Sequence, residues 1–229
     1  MANQDYWTPQ LESKLNCWHR QQVVASPQKP AACLTIAREF GCQAFSLAEA
    51  LVEKLNITCD KNLPWIIVGN KLLSEVAKLS GYSVEQIEKA QDVHPAVKAI
   101  FSMFLDKHLA EETEIFQHMK PAIRSFAKRG HCIFVGHGAV MATQDLPNCT
   151  HVRLVAPLSF RVKQLMEAYN ISGSEAQKHI DQHQQQRKDY LYRFTERDIS
   201  NPELYHLVLN NERLAIESMA QMTLQQLAI

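Results

Sequence analysis

No apolar run in the 229 residues approaches the ~20 that a membrane span needs. The opening, Met1-Ala2-Asn3-Gln4-Asp5, has neither the basic nor the apolar stretch of a secretory signal, so a cytoplasmic location is expected. Charge of one sign is not in excess: Lys plus Arg and Asp plus Glu both total 24. That balance argues against a basic face for a nucleic acid polymer, although a small phosphorylated ligand needs only a local cluster. No CxxC pair occurs among the six cysteines, which lie mostly inside apolar runs. Buried, reduced thiols are expected from them, and no metal site. What is present suits a packed core: 46% hydrophobic and 21% charged residues, at a length fitting one large domain.

Along the chain, segments alternate in type. Trp7, Leu11, Leu15 and Trp18 recur at helical spacing after Thr8-Pro9 and predict an amphipathic N-terminal helix to about Gln22. Ser26-Pro27-Gln28-Lys29-Pro30 reads as a stiff linker, so residues 1–30 divide from an α/β domain over 31–229. Strands are expected at Ala32–Ala37, Trp65–Val68, Cys132–Val135, Val152–Ala156 and Leu207–Leu209. Ser46 and Glu49 form a capping-box pattern for a helix to about Asn56, and Ser172 with Glu175 forms another for a polar helix to about Arg193. Further helices are expected from Asn70, from Ser83, up to Arg129 with breaks at Pro95 and Pro121, over Pro157–Tyr169, and over Leu214–Leu227. Strand and helix in alternation predict a parallel sheet covered on both faces, with Ala32–Ala37 central.

In such sheets ligands bind beyond the C-terminal strand ends, where helix N-termini offer backbone N–H groups to phosphate. The first such place is Ala37-Arg38-Glu39-Phe40-Gly41-Cys42-Gln43-Ala44-Phe45-Ser46. The pattern G-x-x-x-x-G-K-[ST] is absent: counted from Gly41, its later positions hold Ser46, Leu47 and Ala48. On these residues alone, an ordinary strand-loop-helix turn and a phosphate cradle both remain open.

Leu34-Thr35-Ile36-Ala37-Arg38-Glu39-Phe40-Gly41 is, however, similar almost residue for residue to the opening of the cytidylate-kinase-like family, T-I-(S/A)-R-E-(F/Y)-G-S-G-G. Ile133-Phe134-Val135-Gly136-His137-Gly138-Ala139 resembles the family's V-I-V-G-R-G-A, with His137 in place of arginine. Val152–Val162 resembles its strand and arginine helix, Arg187, Tyr190 and Arg193 its basic lid, and Leu204–Asn210 its Y-D-L-V-I-N strand. The resemblance implies a P-loop-kinase-like three-layer sandwich with a five-stranded parallel sheet, a helical acceptor-binding insertion and a lid. It also implies phosphoryl transfer from ATP, with Mg2+, to a pyrimidine nucleoside monophosphate or related small acceptor. The implied nucleotide-binding residues are Arg38, Gly41, Cys42, Gln43, Ala44, Phe45 and Ser46, with Gly136, His137 and Gly138 at the substrate. Arg161, Arg187 and Arg193 are the implied catalytic arginines, neutralising the transferred group once a lid closes.

The sequence departs from the family where Gln43 and Ala44 replace Gly-Gly and Cys42 replaces serine, which obstructs close backbone approach. Histidine at 137 offers at most one contact where a guanidinium offers two. Three readings stand: an active kinase, for which ATP and Mg2+ are expected; a weak or inactive regulatory relative; and a homo-oligomeric scaffold joined through the N-terminal helix. If Arg187 and Arg193 serve one phosphate, their helix must end between them, near Tyr190–Tyr192. His179 and His183 are helical neighbours, but the residues between them do not make a His-Glu-x-x-His metal core.

Overall fold

The structure is a computed structural model that describes residues 30–59, 64–69, 115–136 and 138–227. Its elements run β1 (Cys33–Arg38), α1 (Ala44–Thr58), β2 (Ile66–Val68), α2 (Ile115–Arg129), β3 (Cys132–Val135), α3 (Ala139–Thr143), β4 (Cys149–Val155), α4 (Leu158–Tyr169), α5 (Gly173–Thr195), β5 (Leu207–Asn210) and α6 (Ile216–Gln226). The five strands form one parallel sheet in the order β2-β3-β1-β4-β5, so β1 is central as expected. The expected N-terminal helix, the helices from Asn70 and Ser83 and the break at Pro95 lie outside the described residues.

Strand alternation divides the central residues between two layers. Leu34, Ile36, Ile133, Val135, Val152, Leu154 and Leu209 pack with Leu47, Leu51 and Leu55 of α1 and Met219 of α6. Residues of opposite parity include Thr35, Phe134, His151 and Arg153, and the central strand β1 contacts α2 and α3, which bury Ile123, Phe126, Val140 and Ala142. At the N-terminal end of the sheet Cys132, Cys33 and Cys149 stand in register on β3, β1 and β4. The Sγ atoms of Cys132 and Cys33 are 3.6 Å apart, and all three residues are buried thiols.

Several bounds differ from the sequence reading, most by a residue or two, and β4, α2 and α5 depart for physical reasons. Strand β4 begins at Cys149 rather than Val152, because Cys149, Thr150 and His151 continue the ladder to β1. His151 is accommodated there by a 2.9 Å hydrogen bond with Thr35 Oγ1, while its own N–H donates to His206 Nδ1. Helix α2 continues through Pro121. The proline forfeits one backbone bond, and burial of Ile123, Phe126 and Ala127 behind it holds the helix together. Helix α5 runs unbroken past Tyr190–Tyr192 to Thr195 and stops at left-handed Glu196. Burial of Leu191 at 4% exposure keeps that last stretch helical.

Candidate functional site

Strand β1 delivers its loop to the C-terminal edge of the sheet, between α1 and the α4–α5 pair. The expected capping box does not open α1. The helix is capped three residues earlier, starting at Ala44 with Gln43 as N-cap and no side-chain cap bond, which leaves Ser46 exposed in the first turn. A partner distant in sequence does the local work instead: Gln43 N–H donates to Asn211 Oδ1 at 2.7 Å, just beyond β5. The Gln43 side chain donates through Nε2 to Gln164 Oε1 at 2.9 Å on α4 and accepts at Oε1 from Asn211 Nδ2 at 3.2 Å.

Three further loop amides are engaged. Phe40 N–H donates to Gln184 Oε1 of α5 at 3.0 Å, and the Phe40 ring stacks on His183 with centroids 4.7 Å apart. Cys42 N–H donates to Glu39 O, and Ala44 N–H to Cys42 O. Phe40 also packs against the small cluster of Leu165, Ala176 and Ile180 that joins α4 to α5. Gly41 has φ +95°, and a Cβ there would lie 2.8 Å from Arg161 Cβ and 3.0 Å from Arg161 O. Only glycine fits, because α4 passes so close. The Cys42 thiol, pushed up to about 12 by burial and then by Glu39, stays protonated and is no nucleophile.

Of the three lid arginines, Arg161 is placed against the loop. It donates from Nε to Ala156 O at 3.0 Å and from Nη1 to Phe40 O at 3.3 Å, with Glu39 Oε2 at 3.6 Å from Nε. Glu39 Oε2 in turn accepts from Ala156 N–H at 3.0 Å. Arg161 thereby braces the loop to the end of β4, with 13% of its side chain exposed. Arg187 and Arg193 lie on the continuous α5. Six residues along a helix separate their Cα positions by roughly 120° about its axis, and their side chains lie outside the described residues.

The middle motif reaches the same edge. Gly136 has φ +85°, and a Cβ there would fall 1.6 Å from Arg38 Nη1, so the Arg38 guanidinium lies across the end of β3. Gly138, at φ 67°, is the N-cap of α3. His137 is outside the described residues. The sequence reading missed Asn211, Gln164, Gln184 and His183. The available signals were the run Gln182-His183-Gln184-Gln185-Gln186 and the second asparagine after β5. Among the described residues no group of three His, Cys, Asp or Glu is placed to hold a metal ion. Leu47 and Ala48, each 0% exposed, belong to the core, so the first turns of α1 lend no hydroxyl or ammonium at those positions.

A sequence model of the cytidylate kinase-like family matches residues 33–213. No curated protein matches the chain. Among solved structures, an uncharacterized protein from Eubacterium ventriosum ATCC 27560 superposes with a TM-score of 0.63 at 16% identity, over 86% of this chain and 97% of that one. At that identity the likeness is one of fold. Shikimate kinase from Bacteroides thetaiotaomicron aligns over 86% of this chain and 99% of its own, at 14% identity and a TM-score of 0.47.

Proposed function

Because the chain belongs to the cytidylate kinase-like family, we propose that it is a catalytically weak or inactive kinase-like protein that keeps a nucleotide-binding, regulatory role. One observation carries this reading: the loop that would cradle the ATP phosphates already spends the N–H groups of Phe40, Cys42, Gln43 and Ala44 on the protein itself. Asn211 takes Gln43 N–H, Gln184 takes Phe40 N–H, and Gln43 fills the turn with its own carboxamide. A phosphate must displace these acceptors, each worth about 0.5–1.5 kcal/mol net, with no lysine in the loop to repay the loss. Calorimetry with ATP and magnesium, followed by a coupled assay with cytidine 5′-monophosphate, is the direct test. Weak ATP binding and no turnover are expected; turnover on the usual kinase scale of about 1–100 s⁻¹ would overturn the reading.

The alternative is an active kinase that moves the ATP γ-phosphate to a pyrimidine nucleoside monophosphate or related acceptor. It is favoured by Arg161, which α4 holds against the loop, and by the arginines that the sequence keeps at 187 and 193 of α5. In that case the loop opens as ATP enters, releasing Gln43 and Phe40 together. Among the described residues no group of three His, Cys, Asp or Glu is gathered for the magnesium ion that would accompany ATP.

A further inference from the structure

We propose that the α4–α5 hairpin is an autoinhibitory latch on the β1–α1 loop, with Phe40 as its bolt, so that loop and hairpin open as one unit. This deepens the nucleotide-binding role proposed above, on which it rests, by naming what controls access to the loop.

The hairpin holds Phe40 by its amide, its carbonyl and its ring. The N–H donates to Gln184 Oε1 at 3.0 Å, the carbonyl accepts from Arg161 Nη1 at 3.3 Å, and the ring stacks on His183 with centroids 4.7 Å apart. The same ring packs against Leu165, Ala176 and Ile180, the buried cluster that joins α4 to α5. Gln164 of α4 adds a further tie through Gln43 Nε2 at 2.9 Å. His183 and Gln184 are neighbours on one turn of α5, so a ligand that takes the Phe40 N–H from Gln184 pulls the stacked ring with it. Each contact is modest alone; joined through one residue they break together.

The rest of the hairpin is pinned at its ends. Among the elements, α4 and α5 pack chiefly on each other. Just before α4, Ala156 donates its N–H to Glu39 Oε2 and accepts from Arg161 Nε. Beyond α5, Ile199 O accepts from Arg153 Nη1 and from the Tyr205 hydroxyl, both at 2.6 Å. Arg153 lies on β4 and is buried, so this second pin belongs to the sheet. Left-handed Glu196 separates α5 from it and serves as the joint. Two pins at the sheet with a polar and aromatic contact between them make a body that pivots off the loop without leaving the fold. While it stays shut, the apparent affinity of any loop ligand falls with the fraction of molecules that are open.

The test follows two probes on the full chain without nucleotide: alkylation of Cys42 by iodoacetamide for the loop, and amide hydrogen exchange over 176–184 for α5. Off the loop, α5 loses part of the packing that keeps a polar helix formed, so undocking speeds its exchange. Gln184→Ala should speed both probes about twofold to tenfold by a common factor, and His183→Ala with Gln184→Ala should speed both further. Gln185→Ala, which gives up a bond to Asp189 within α5, should change neither. Alkylation of buried Cys132, the measure of global unfolding, should keep its wild-type rate. The proposal is overturned if Cys42 speeds while 176–184 does not, if neither probe responds to the double variant, if Gln185→Ala acts like Gln184→Ala, or if Cys132 speeds by the same factor. An ATP titration of the same variants keeps the two ideas apart. ATP binding that tightens by the factor of release supports both. Matched release with no ATP binding in any variant removes the nucleotide role and leaves the latch, and ATP binding without coupled release does the reverse.

Discussion

Gln43 is the residue on which the site turns. Gln43→Gly removes the bonds to Gln164 and Asn211 Nδ2 and restores the small residue that close phosphate approach needs. Tighter ATP binding by calorimetry is expected, at a cost in stability of about 0.5–1 kcal/mol from the added backbone freedom; unchanged ATP affinity would show that the carboxamide is not the obstruction. His151 sets a second expectation. Burial, with a smaller contribution from His206, lowers its folded pKa from 6.5 to about 4. The unfolded chain thus binds the extra proton first, and the stability held above pH 6.5 is lost as pH falls toward 4. The gap corresponds to roughly 3 kcal/mol, measurable as a falling urea midpoint across that window and reduced in His151→Leu. Neither residue's role is legible in the sequence alone. Gln43 stands out there only for the glycine it replaces, while its partners lie 121 and 168 positions away. His151 sits in a polar-looking stretch, and only the ladder to β1 shows it to be strand.

Among the elements, α5 is the most legible at its start and the least at its end. Ser172 and Glu175 make the capping box reciprocally, as their spacing implies. Ser172→Ala should destabilise the protein by about 1 kcal/mol, seen as a lower Tm, with no change in nucleotide binding. Its C-terminus depends on where Leu191 is buried, a tertiary fact without a local signal. The start of α1 escapes the sequence for a related reason: Ser46 and Glu49 have the right spacing, but Asn211 caps the chain three residues earlier. Strand β3 matches its expected bounds to the residue, because four successive apolar positions between Gly130 and Gly136 are too short for a helix and fit a strand covered on both faces. Phe134, fully buried at its centre, should cost about 3–5 kcal/mol when replaced by alanine, measured by chemical denaturation.

For the whole molecule, strand count, parallel sense and the central place of β1 are all legible, since alternation of element types and covered strands leave few topologies. The lateral order β2-β3-β1-β4-β5 puts every loop of interest on one edge and the thiol row on the other. That row makes the protein a clock for its own opening. Cys33, Cys132 and Cys149 are sealed beneath both layers and meet an alkylating reagent only when the sheet comes apart. Half-buried Cys59, at the end of α1, reports local fraying, and Cys42 waits on release of the loop from α4 and α5. A single alkylation time course, resolved peptide by peptide, thus separates three events within one molecule: fraying, loop release and global unfolding. A ligand that closes the loop slows the middle phase, while one that only stabilises the fold slows the last.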